Sequence, residues 1–209
     1  MKLYYFETPN PRKACAVARY LNLPVDFVYV DLGKDEHKTS QYLAINPNGK
    51  VPALEDGDTR LWEANAIMCH LARKAGSDLW PKEAEQQIEV VKWLSWDSEH
   101  FTRHAGNLYF QHVIKRQFGI GEPDQAEADE ATGHFRRFAA VLNNQLADRT
   151  YILGDRLSVA DFAVSATLPY ADTIRLPLAD YPNIQRWISR LEELPAWREP
   201  FPVRKAQAA

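Results

Sequence analysis

Three short segments carry the residue types from which a binding or catalytic site could be built. Thr8 and Asn10 lie where a short aromatic run, Lys2–Phe6, gives way to a helical pattern. A helix N-terminus favours anions, a thiolate among them, and a neighbouring hydroxyl or amide can donate a hydrogen bond to the sulfur. The same residues equally suit plain capping, with Asn10 as N-cap and Pro11 at the first helical position. The second segment is Asn48-Gly49-Lys50-Val51-Pro52-Ala53-Leu54, where Pro52 falls near the start of a strand and removes a ladder donor. Either Pro52 is an ordinary trans edge-strand proline, or its bond is cis and holds the N–H and C=O of Val51 out for an extended ligand. The third is Trp62-Glu63-Ala64, at a turn from strand to helix. Open N–H groups there would meet a carboxylate and Glu63 an ammonium, the two ends of an amino-acid zwitterion. Alternatively, Glu63 favours only its own helix N-terminus.

Other reactive side chains read as structural. Cys15 sits in the apolar run Ala14–Ala18 and Cys69 among Ile67, Met68 and Leu71, so both are expected in the core. His100 and His104 are one helical turn apart and His112 follows, yet beyond the adjacent Glu99 no ligand joins them at a metal-binding spacing; no metal is expected. Asp161, three residues after Ser158, belongs to a helix-start pattern rather than to catalysis.

The elements that must position these groups differ between the two parts of the chain. Up to about residue 80 the order reads βαβ, a short helix near Ser40–Ile45, a hairpin formed by Val51–Leu54 and Thr59–Trp62, then a helix after Glu63. Beyond Pro81 the strand signal ends, and helical periodicity runs over about 83–114, 123–146, 159–170 and 184–194. The linker Ala75–Pro81 marks the expected boundary between residues 1–77 and 82–209, and Val203–Ala209 is expected to fray. Trp93, Trp96, Phe101, His104, Tyr109 and Phe110 crowd the first long helix, mostly as core, with Phe101 and His104 expected to line a pocket.

Bulk composition narrows the function. A net charge of −3, from 25 Lys+Arg against 28 Asp+Glu, argues against nucleic-acid binding by bulk positive charge. No stretch approaches the roughly 17–25 apolar residues of a membrane span, and the apolar start Leu3–Phe6 is too short for a secretory signal. Two cysteines cannot make a disulfide framework, so a reducing, cytoplasmic setting is expected.

Together, the Thr8-Pro9-Asn10 opening, the Asn46-to-Leu54 segment, the Trp62-Glu63-Ala64 turn and the Ser158–Asp161 box resemble, in order and spacing, the soluble glutathione S-transferase superfamily over essentially the whole chain. The Thr-Pro-Asn opening is most similar to the bacterial nu-type members, with beta-type members as further relatives. The resemblance implies an N-terminal thioredoxin-like domain (βαβαββα) followed by an all-helical C-terminal domain that supplies an acceptor pocket. It implies a cis bond at Pro52 and a homodimer. It further implies that Thr8 and Asn10 hold the glutathione thiolate and that the Val51 backbone pairs with the cysteinyl unit. Glu63 would meet the γ-glutamyl ammonium, the Ala64 N–H its carboxylate, and His37 and Lys50 the glycyl end. Conjugation, thiol–disulfide or peroxide reduction, isomerisation and dehalogenation are all within the superfamily's range, as is a non-catalytic binding role. Two departures stand out: Ala64 replaces the usual Ser, and Pro11 the frequent Gly.

Overall fold

The computed structural model describes residues 1–203; residues 204–209, most of the tail expected to fray, lie outside the described residues. The described residues divide into two compact units, Met1–Leu71 with those from Leu194 to Val203, and Ala72–Glu193.

The first unit follows the expected βαβαββα order: β1 (Lys2–Tyr5), α1 (Pro9–Tyr20), β2 (Asp26–Tyr29), α2 (Ser40–Leu43), β3 (Ala53–Asp56), β4 (Thr59–Trp62) and α3 (Ala64–Lys74), with two 3-10 turns, Leu32–Lys34 and Glu36–Lys38, before α2. The sheet order is β2-β1-β3-β4. β1 and β2 are parallel, because α1 returns the chain to the starting end, whereas β3 and β4 form an antiparallel hairpin. Alternation along β1 buries Leu3 and Tyr5 on one face. It turns Tyr4 to the other, against a cluster of Val30, Tyr42, Ile45 and Ala53.

Helix α1 begins two residues earlier than the sequence suggests. Thr8, extended at φ −129° and ψ 166°, is the N-cap, and its carbonyl accepts the first helical bond from the Arg12 N–H at 3.0 Å. Pro9 therefore takes the first helical position, Asn10 the second and Pro11 the third. None of these three positions needs an N–H, so two prolines are accommodated without a lost bond.

The second unit is helical: α4 (Ala84–Trp96), α5 (Thr102–Tyr109), α6 (Lys115–Gln117), α7 (Gln125–Gln145), α8 (Val159–Val164) and α9 (Pro182–Glu192). π-helical turns at Asp97–Phe101 and Phe110–Ile114 interrupt what the periodicity reads as one helix. Its core includes Phe101, Leu108, Phe135, Leu142, Phe162 and Trp187. Asp161 is buried at the start of α8. Its Oδ2 accepts from the Ser158 N–H at 2.9 Å and the Ser158 hydroxyl at 3.0 Å, and its Oδ1 from the Ile152 N–H at 2.9 Å and Trp187 Nε1 at 3.0 Å. Burial pushes its carboxyl up to about 6, against the opposing pull of these donors.

The described residues from Leu194 group with the first unit, whereas the linker and the helical periodicity place everything beyond residue 82 in the helical domain. There α10 (Pro195–Arg198) packs on α1. The buried Arg12 guanidinium donates to the Trp197 carbonyl and lies 5.2 Å over the Trp197 ring. Arg19 donates to the Phe201 carbonyl at 2.8 Å, and Phe201 stacks on Tyr5 at 5.8 Å. Aromatic burial and two arginine contacts thus override sequence adjacency.

Candidate active site

Strand register collects the motif residues at one end of the sheet. Tyr5 at the end of β1 pairs with Tyr29 at the end of β2, and Tyr4 pairs with Ala53 at the start of β3. Ala53 in turn pairs with Trp62 at the end of β4. The four segments that follow or precede these residues therefore emerge together: Thr8–Asn10, the turns bearing His37, the Lys50–Pro52 loop, and Glu63–Ala64.

At the first, the Thr8 hydroxyl makes no hydrogen bond among the described residues. An N-cap hydroxyl ordinarily accepts from the second or third helical N–H, but the third position here is Pro11, which has none. Pro9 and Pro11 also strip the first turn of donors, leaving the Asn10 N–H as its single open backbone donor. An anion at this helix end would thus meet the Thr8 hydroxyl, the Asn10 N–H and the exposed Asn10 amide.

At the second, the Val51–Pro52 bond is cis, as the resemblance implies. Neither the N–H nor the C=O of Val51 is engaged among the described residues, so this residue offers a free strand edge one step ahead of β3. The loop before it is tightly held. Gly49, at φ +58°, needs its missing side chain: a Cβ there would approach the His37 carbonyl to 3.3 Å. This contact ties the loop to the turn bearing His37, whose Nδ1 is buried without a hydrogen-bond partner. Lys50 is exposed and forms no ion pair among the described residues.

At the third, Glu63 turns the chain from β4 into α3 within a single residue, adopting φ +69°. A side-chain-bearing residue in this left-handed region costs about 1–2 kcal/mol, and such strain concentrates at functional positions. The Glu63 carbonyl accepts from the Ile67 N–H at 3.0 Å, while its exposed carboxylate has no partner among the described residues. The Ala64 N–H is likewise unengaged at the start of α3.

The remaining sequence candidates separate. Phe101 has no accessible surface, stacking on Trp96 at 5.5 Å and packing on Phe135 at 4.9 Å within the helical core. His104 is half-buried and stacks on His134 at 4.4 Å; burial, then the His134 and Arg103 charges, hold its pKa below the ordinary histidine value. Cys15 is buried and burial raises its thiol far above the ordinary value, while burial pushes Cys69 up to about 11. Burial thus disfavours the thiolate of both at neutral pH. Two residues that sequence reasoning did not single out, Tyr42 and Asn46, hold the loop at Lys50. Asn46 opens the Asn46-to-Leu54 segment of the resemblance without a role of its own there; nothing local marked Tyr42.

Residues 1–73 match the glutathione S-transferase N-terminal domain family, and residues 98–195 match the C-terminal domain family. The chain is 34% identical over 208 residues to glutathione S-transferase 3 of Zea mays, covering 95% of this chain and 92% of that one. This chain belongs to the glutathione S-transferase family.

Solved structures of the family superpose closely on it. Glutathione S-transferase I from mais, in complex with an atrazine–glutathione conjugate, has a TM-score of 0.86 at 28% identity, covering 95% of each chain. A glutathione transferase from Burkholderia graminis, with two glutathione molecules bound per subunit, has a TM-score of 0.84 at 26% identity, covering 99% of this chain and 89% of that one. The thioredoxin-like sheet and the helical domain of this transferase are thus those of the family. Among its described residues no group of three or more His, Cys, Asp or Glu could hold a metal ion, and no helix is long and apolar enough to cross a membrane.

Proposed function

We infer that this family member binds glutathione at the collected end of the sheet and delivers it as a thiolate to a second substrate. The observation that carries this reading is the free N–H and C=O of Val51, flanked by two other unengaged groups, the Thr8 hydroxyl and the Glu63 carboxylate. An extended γ-glutamyl tripeptide complements that set. Its cysteinyl unit pairs with Val51 as an added strand. Its ammonium meets Glu63 and its α-carboxylate the Ala64 N–H at the start of α3. His37 and Lys50 meet the glycyl carboxylate. The sulfur then falls to Thr8 and Asn10. Bringing a thiol of pKa near 8.5 down by about two units takes about 2.7 kcal/mol. One charge-assisted hydrogen bond of about 1.5–3 kcal/mol, with a contribution from the helix end, is sufficient.

The chemistry is nucleophilic. The thiol proton leaves to solvent, and the thiolate attacks an electrophilic carbon, forming a C–S bond as the leaving group departs with its electron pair. With a disulfide as acceptor, the same thiolate attacks one sulfur and expels the other as a thiolate; a second glutathione then resolves the mixed disulfide. The conjugate in the mais relative and the two glutathiones in the Burkholderia relative favour one course each. The Thr-Pro-Asn opening favours the second. His104 and the helical domain serve the acceptor. A homodimer in the cytoplasm, where Cys15 and Cys69 remain free thiols, completes the reading.

Isothermal titration with glutathione tests it: millimolar or tighter binding is expected, and its absence leaves a non-catalytic member of the family. That second reading draws on Ala64, which lacks the hydroxyl that would help hold the ligand carboxylate. Ala64→Ser should tighten glutathione binding by about tenfold or more, the value of one hydrogen bond to a charged group.

A further inference from the structure

The Lys50 carbonyl accepts two hydrogen bonds from side chains that are not themselves members of the proposed ligand set: the Tyr42 hydroxyl at 2.7 Å and Asn46 Nδ2 at 2.6 Å. That carbonyl belongs to the same rigid peptide unit as the Val51 N–H. The Lys50–Val51 bond is trans, so its C=O and N–H point in opposite directions. Holding the oxygen toward Tyr42 and Asn46 therefore aims the Val51 N–H away from them. Two donors on one carbonyl also polarise the peptide and strengthen its N–H as a donor.

Both anchors are themselves immobilised. Tyr42 is buried in the cluster with Val30, Ile45 and Ala53, and its ring meets that of Tyr4 edge-on at 5.8 Å. Tyr4 in turn donates to Glu55 in β3 at 2.5 Å. Asn46 is buried, and its Oδ1 accepts from the N–H and the side-chain amide of Asn48, each at 3.0 Å. Burial raises the Tyr42 phenol well above its ordinary value, so it remains a donor at every working pH.

We propose that Tyr42 and Asn46 are positioning residues for glutathione, acting through the Lys50 carbonyl to aim the Val51 N–H at the ligand's cysteinyl carbonyl. This rests on the binding reading above and adds a support behind the site: Tyr42 lies outside every motif, and Asn46 opens one without a role assigned to it. The two residues touch neither sulfur nor acceptor, so they govern how well glutathione is held and leave the chemical step alone.

Tyr42→Phe removes the hydroxyl and keeps the ring. KM and Kd for glutathione should rise about fivefold to tenfold, the worth of one neutral hydrogen bond. The kcat at saturating glutathione and the KM for an acceptor such as 1-chloro-2,4-dinitrobenzene should change less than about twofold, as expected for lost uniform binding. The decisive probe is γ-glutamylcysteamine, which keeps the γ-glutamyl group and the thiol but lacks the cysteinyl carbonyl. Measured by competition, it should bind wild type and Tyr42→Phe equally. Equal weakening of both ligands would show a general structural defect and overturn the proposal, as would unchanged glutathione affinity. Should Tyr42→Phe lose its native circular dichroism, Asn46→Asp replaces it. That change keeps the acceptor for Asn48 but turns the donor facing Lys50 into a repelling oxygen, and the same ligand discrimination is required of it. Failure of wild type to bind glutathione at all would instead remove the binding reading itself, an outcome read before any variant is made.

Discussion

Thr8→Val separates two roles that threonine usually combines at a helix start. Valine matches threonine in shape and tolerates the extended φ −129°, ψ 166° of this N-cap. Losing an N-cap hydroxyl ordinarily costs about 1 kcal/mol of stability. Here that cost should be absent, because the Thr8 side chain caps nothing and Pro11 supplies no N–H for it to accept. The expected change in urea-unfolding free energy is within about 0.5 kcal/mol. The effect on bound glutathione should be large. With Pro9 and Pro11 in the first turn, the Asn10 N–H is the single open backbone donor, so the helix end contributes toward the low end of about 0.3–1 kcal/mol. The Thr8 hydroxyl must then supply most of the roughly 2.7 kcal/mol that ionises the thiol. Removing about 1.5–3 kcal/mol raises the bound thiol's pKa by about one to two units. Titrating the ultraviolet absorbance of the bound thiolate against pH measures this directly. At pH 6.5 the ionised share should drop from about one half to under about one tenth, with Thr8→Ser behaving as wild type. An unshifted titration accompanied by lost stability would show the opposite: Thr8 would then be a cap, and the thiolate would be held by other groups.

Other perturbations test separate parts of the structure. Glu63→Gly should relieve the left-handed strain of about 1–2 kcal/mol, less about 0.5–1 kcal/mol of glycine entropy, leaving stability equal or slightly improved while glutathione affinity falls more than about tenfold. A parallel melt and titration check both arms, and retained affinity would remove Glu63 from the site. Asp161→Ala strands the buried N–H groups of Ile152, Ser158 and Trp187. At about 1–3 kcal/mol each, it should destabilise the protein by at least about 3 kcal/mol in urea unfolding; a loss below about 1 kcal/mol would mean these donors find new partners. Burial and the neighbouring His134 lower the folded pKa of His104, so the unfolded chain takes up its proton first. Its contribution to stability is present above the unfolded value of about 6.5 and is lost as pH falls through it. His104→Phe should therefore flatten the stability profile between pH 7.5 and 6 relative to wild type, a comparison in which the opposing contribution of Asp161 cancels; an unchanged slope would show that His104 titrates alike in the folded and unfolded chains.

Much of the site was legible because its chemistry resides in short, contiguous segments. Thr8-Pro9-Asn10, the Lys50–Pro52 loop and Trp62-Glu63-Ala64 each carry their own turn and cap signals, and the alternation of the strands predicts the βαβαββα order. The misplaced start of α1 had a local cause: Pro9 and Pro11 suit the first helical position equally, and only the observed Arg12-to-Thr8 bond distinguishes them. Phe101 illustrates a different limit. Periodicity puts an aromatic side chain on a helix face but does not say whether that face meets a cleft or, as here, the rings of Trp96 and Phe135.

Local elements and chemical vocabulary follow from residue order: a hydroxyl and an amide at a helix start, a proline before a strand, a carboxylate at a strand-to-helix turn. Those depend on neighbours a few residues away, whose preferences are written in residue types. Tertiary structure alone decided which of these groups remain unengaged. It also decided that Glu63 turns at φ +69°, that Tyr42 and Asn46 meet on the Lys50 carbonyl, and that Trp197 returns to Arg12, 185 residues away. These are contests among distant partners for burial and hydrogen bonds, and their outcome depends on how the whole unit packs.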